Sequence, residues 1–176
     1  VYEPRDPSKP MPDIPEGWKD ISDDPKALAK YNLSPKTLRI AKEPGFRARV
    51  YEPEQEVFGK DMSASVVFRG TRMNETVDWK NNFQQGIGAE SKYYKQAVTI
   101  GAAVRRSSAA IDMTGHSLGG GMASSASRAS GKTGWTFNAA GLKSSTVKKY
   151  SGESPVKAGK ENISAYRVKG EILTKI

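Results

Sequence analysis

One stretch constrains the fold of this chain more than any other: residues 107–130, SSAAIDMTGHSLGGGMASSASRAS. Its first half reads as a strand and its second as a helix of small residues. Gly115-His116-Ser117-Leu118-Gly119 joins them with no residues to spare for a loop. A strand that becomes a helix this abruptly forces its corner residue into strained backbone angles and lifts that side chain above the sheet. Side chains two positions before and two after the corner would collide, which is why Gly115 and Gly119 stand there. The new helix aims its N–H groups and positive dipole end at the space beside Ser117. Ser117 is therefore the candidate nucleophile, with its hydroxyl turned outward.

The rest of the chain supports a sheet around this turn. Two short helical stretches are expected early, DPKALAKYN (24–32) and SPKTLRIAKEPG (34–45), the second with Ser34 as N-cap and Pro35 at its first position. FRARVYEP (46–53) alternates as a strand does, and SASVVFRG (63–70) is a compact β-rich run, so the two suggest a hairpin. AESKYYKQAVTIGAAVRRSS places Tyr93, Ala97, Ile100 and Val104 at helical spacing. WTFNAAGL is a further strand, KSSTVKKYSG a helix and ENISAYRVKG a last strand, while Gly131-Lys132-Thr133 reads as a helix end turning into a strand rather than a phosphate loop. From residue 63 strands and helices alternate, which implies crossover connections and a parallel sheet. The expected class is α/β, a mostly parallel sheet flanked by helices.

Five prolines in the first eighteen residues make residues 1–20 an extended arm, leaving 21–176 as one domain. With no initiator Met, the chain reads as a piece of a longer product whose C-terminal part is missing. The N-terminus has neither the basic start nor the apolar core of a secretory signal, and no run approaches the roughly 18 apolar residues of a membrane span.

The chain has no cysteine and one histidine, which excludes disulfides, thiolate catalysis and cysteine-held zinc. No metal site and no cofactor are expected, since the carboxylates show no ligand spacing. A net charge of +9 draws the chain towards anionic surfaces, although the basic residues are scattered and read first as a solvated surface. No nucleic-acid module is visible, and no nucleic-acid partner is expected.

VVFRGT (66–71), DWKNNF (78–83), GHSLGG (115–120) and NAAGL (138–142) together resemble the class 3 lipase group and its bacterial phospholipase relatives, over about residues 45–176. The pairing of FRGT with GHSLGG is more specific than either alone. The resemblance implies an α/β-hydrolase fold and an oxyanion hole built from the backbone N–H groups of Thr71 and Leu118. It places residues 72–86 where the family carries a lid, so Trp79 and Phe83 either form an apolar face for lipid or anchor that loop in the core.

A serine nucleophile needs a base, and the single histidine, His116, is the wrong one. It should point away from the Ser117 hydroxyl and pack beneath the turn. In this fold the order is Ser, acid, His, so the base is expected downstream of Ile176 or on a second chain. The resemblance places the acid just after the last strand, where Glu171 stands in for the family's aspartate; Glu153, Glu161 and Asp112 are weaker candidates.

The resulting expectation is a serine ester hydrolase acting on lipids, a phospholipase with A1-type specificity favoured. The resemblance extends it to a secreted antibacterial effector without an N-terminal signal peptide, acting at bacterial membranes and neutralised by an acidic immunity protein. An esterase for small esters, and a catalytically silent module with a basic face for an acidic partner or membrane, are the rivals.

Overall fold

The computed structural model describes residues 8–42, 45–70, 87–139, 145–151 and 163–169. Six strands form one sheet in chain order: β1 (Trp18–Asp20), β2 (Ala48–Pro53), β3 (Ala64–Phe68), β4 (Ile111–His116), β5 (Gly134–Phe137) and β6 (Ile163–Tyr166). β1, β2 and β3 pair antiparallel, and β3 through β6 pair parallel. Between them run α1 (Pro25–Ala29), α2 (Gln55–Phe58), α3 (Ile87–Arg105), α4 (Leu118–Ser130) and α5 (Ser145–Ser151). The α/β class and the mostly parallel sheet flanked by helices are as the alternation implied, and β2 and β3 do form an antiparallel pair.

Two expectations are corrected. Residues 18–20, counted with the arm, form β1: Trp18 packs on Phe58 with ring centroids 5.4 Å apart, and Asp20 pairs with Arg49 at 2.8 Å. Arm composition says nothing of a long-range strand partner. Residues 34–42 form turns, not a second helix. There the Thr37 N–H donates to the Ser34 carbonyl at 3.0 Å, and the Thr37 hydroxyl donates to the same oxygen at 2.7 Å. Such local bonds compete with helix, and burial of Leu33, Leu38 and Phe46 draws the segment inward.

Consecutive parallel strands that are also neighbours, joined by crossovers of one hand, put their helices on one face of the sheet. Accordingly α3, α4 and α5 contact one another as one layer, and α4 lies against β3, β4 and β5. The helix-facing rows are Val66, Met113, Gly134 and, nearer the carboxyl ends, Phe68, Gly115, Thr136, all buried. α4 is buried on almost every side and is built of Gly, Ala and Ser for that reason. Its buried serines are satisfied locally: Ser125 donates to the Gly121 carbonyl, Ser130 to that of Ser127, and Ser127 to that of Lys132. Small side chains also let α3 approach, since a Cβ on Gly101 would stand 2.9 Å from the Ala126 Cα. Gly131 ends α4 at φ 73°, its N–H donating to Ser127, as the Gly-Lys-Thr turn required.

Candidate active site

β4 ends at His116 and α4 begins at Leu118, so one residue makes the corner. That residue is Ser117, at φ 57° and ψ −124°. A non-glycine residue there is strained, at a cost of order 1–3 kcal/mol, and persists only when its surroundings force it. The forcing is visible. The Ser117 N–H donates to the Phe137 carbonyl at 3.1 Å, tying the corner to the end of β5. The Ser117 carbonyl accepts from Gly120 and Gly121 at 3.0 and 3.2 Å, which starts the helix. The side chain makes no capping hydrogen bond. A serine at a helix start would ordinarily cap it, and this hydroxyl is left for other work. Ser117 is 9% exposed, so it sits recessed rather than projecting outward.

Three glycines allow this recess. A Cβ on Gly115 would run into the backbone of Gly119; one on Gly119 would meet the Phe68 carbonyl and stand 2.9 Å from the Gly70 nitrogen; one on Gly120 would stand 2.7 Å from the Ala139 Cβ. The elbow is thus wedged between the carboxyl ends of β3 and β5 with no atom to spare. The Leu118 and Gly119 amides open the first turn of α4, where N–H groups have no intrahelical acceptor. With the β3 end at Phe68–Gly70 lying against Gly119, the FRG and GHSLGG segments meet in space.

Ser117, Leu118, Gly115 and Gly119 therefore converge on one corner. Thr71, Trp79, Phe83 and Glu171, together with Glu153 and Glu161, lie outside the described residues. Asp112 sits inside β4, where its carboxylate accepts the Trp135 indole N–H at 2.8 Å. His116 is exposed rather than packed beneath the turn. It continues the alternation of β4 onto the face away from α4, in register with Phe137. Among the described residues no group of His, Asp and Glu could hold a metal, and no helix is long and apolar enough to cross a membrane.

Asn138, which the sequence reading passed over, shapes the same end of the sheet. It follows β5 at φ 43° and is buried. Its N–H donates to the Tyr166 carbonyl and its Oδ1 accepts from the Val168 N–H, both at 2.8 Å, so it clamps the exit of β6 to that of β5. The signal was an asparagine directly after a strand, a residue type that tolerates the left-handed conformation.

A strained serine at a strand–helix corner, flanked by glycines and backed by free helix amides, agrees with the sequence comparisons. Residues 1–176 match the model of the Tle-like phospholipase domain. The chain is also 33% identical over 146 residues to an extracellular phospholipase A1 of Serratia liquefaciens, an alignment covering 82% of this chain and 42% of that protein. It thus spans less than half the length of this relative. By the family model over its whole length, the chain belongs to the Tle-like phospholipase domain family.

Proposed function

We propose that this chain carries the nucleophile of a serine ester hydrolase acting on glycerophospholipids, with A1-type cleavage. The observation that carries this is the backbone of Ser117, φ 57° and ψ −124°, at the one-residue junction of β4 and α4. The Ser117 Oγ attacks the ester carbonyl carbon while its proton passes to an imidazole. The oxyanion is held by the Leu118 N–H and by the Thr71 N–H, in a site where two preorganised donors each contribute about 10²–10³ in rate. The glycerol oxygen leaves with the proton, and water then hydrolyses acyl-Ser117. Because His116 is the single histidine of these 176 residues and stands on the far face of β4, the base is a histidine from elsewhere, in the same polypeptide or a second one. Glu171 is the proposed acid that orients it.

Support for phospholipid comes from the family and from the relative, itself named an extracellular phospholipase A1. We extend the reading to a secreted antibacterial effector active at bacterial membranes and held in check by an acidic immunity protein, since a chain of net charge +9 suits both an anionic membrane and an acidic inhibitor. The test is fluorophosphonate labelling and lipid hydrolysis by the full-length protein. Ser117 takes the label, and Ser117→Ala lowers phospholipid hydrolysis about 10⁴–10⁶-fold. The released products are a free fatty acid and a lysophospholipid that keeps its sn-2 chain. An unlabelled Ser117, or undiminished hydrolysis by the alanine variant, rejects the reading.

A further inference from the structure

The face of the sheet away from α4 loses its cover towards the carboxyl ends of β4, β5 and β6. There His116, Phe137 and Tyr166 stand in one cross-strand row. Phe137 is 42% exposed and Tyr166 52%, and Val168 just beyond is 61% exposed. The apolar side chains form a fixed ridge: the Phe137 and Tyr166 rings stack at 5.3 Å, Trp135 backs Tyr166 at 6.4 Å, and Asn138 holds Val168 by its backbone. Arg167 and Lys169, both exposed, alternate with Tyr166 and Val168 along the chain and border the ridge. The ridge lies at the same end of the parallel strands as Ser117, whose N–H is bonded to Phe137 itself.

We propose that this ridge, Phe137, Tyr166 and Val168 with Arg167 and Lys169, is a docking surface for an anionic phospholipid bilayer. Three features support a lipid surface as the occupant. Aromatic rings beside cations match the layering of a membrane interface, where rings settle at headgroup level and basic groups meet lipid phosphates. The chain's net charge of +9 draws it towards such a surface over long range. A ridge already ordered by stacking and by the Asn138 clamp loses little conformational entropy on contact. The inference rests on the phospholipid reading of the site and supplies what that reading needs, a surface beside the nucleophile that meets the substrate where it resides.

The test measures binding without catalysis. Full-length Ser117→Ala protein is sedimented with sucrose-loaded vesicles of phosphatidylcholine alone, or of phosphatidylcholine with phosphatidylglycerol. The anionic vesicles are bound more strongly. Replacing Arg167 and Lys169 by Glu lowers that binding by about twentyfold or more, at roughly fivefold for each basic charge removed. Replacing Phe137, Tyr166 and Val168 by Ser lowers it at least tenfold, while thermal melting verifies the fold. Met62→Gln, an equally exposed apolar site at the opposite end of the sheet, leaves it unchanged. Wild-type binding by the folded Glu variant overturns the proposal, whatever becomes of the Ser117 chemistry. Equal binding to both vesicle types overturns it also, as does a ridge variant that changes only self-association.

Discussion

Ser117 shows how far a single position can be read from its neighbours. The strain at φ 57° is announced within five residues by the spacing of Gly115 and Gly119, although the bond that holds the corner comes from Phe137. What the spacing does not announce is the partner of each glycine. Gly115 clears Gly119, but Gly119 clears the end of β3, some fifty residues away in the chain. A methyl group at 119 must push on the Phe68 carbonyl and the Gly70 nitrogen, which are backbone atoms and yield little. Gly119→Ala is therefore expected to cost about 1–3 kcal/mol, the usual range for overpacking. It should also pull the β3 end away from the Leu118 amide, reducing ester hydrolysis by at least tenfold. Denaturant unfolding and turnover on a soluble ester measure the two effects; an alanine variant with wild-type stability and rate would show that Gly119 is not wedged as described. The depth of Ser117 and the outward position of His116 were not legible, because both depend on which face of β4 the helices cover.

Among the elements, those with a strong internal period were legible and those held by distant contacts were not. α3 and α4 emerge from their patterns, as do β3, β4 and β5. β1 is three residues long and exists only because Tyr51, Glu52 and Pro53 of β2 accept it. Asn138 belongs to the second kind too, since its clamp joins two strand exits about thirty residues apart. Its two contributions separate by substitution. Asn138→Gly keeps the left-handed backbone but loses the bond from Val168, at a cost of about 1 kcal/mol. Asn138→Ala loses that bond and keeps a Cβ at φ 43° without asparagine's local compensation, which adds roughly another 1 kcal/mol. Ala is thus expected to be the less stable variant although it is nearer to Asn in size, and thermal unfolding of the pair decides it. The reverse order would mean that backbone conformation at 138 carries no strain.

At the scale of the whole molecule, one topological fact organises the rest: strand order equals chain order. It places α3, α4 and α5 in one layer, buries the helix-facing rows of β3, β4 and β5 and leaves the other face partly open at the end where Ser117 lies. The antiparallel edge, by contrast, is tied down by polar contacts, and these give the fold a dependence on alkaline pH. Tyr31, just after α1, is buried, and its hydroxyl donates to Glu52 Oε1 of β2 at 2.8 Å, while Lys30 pairs with the same carboxylate. Burial, then the hydrogen bond to Glu52 and the charge of Glu52, push the Tyr31 phenol well above its usual value near 10. The folded chain therefore holds this proton at a pH where the unfolded chain releases it. The stabilisation is fully present below about pH 10 and is lost as pH rises further, with a limiting slope of about 1.4 kcal/mol per pH unit for one proton. Tyr31→Phe removes the hydroxyl, so it should lower stability at neutral pH by about 1–2 kcal/mol while flattening this part of the alkaline decline. Urea unfolding of both proteins from pH 8 to 11 tests the sign. Parallel curves across that range would show that the Tyr31–Glu52 bond does not govern the proton.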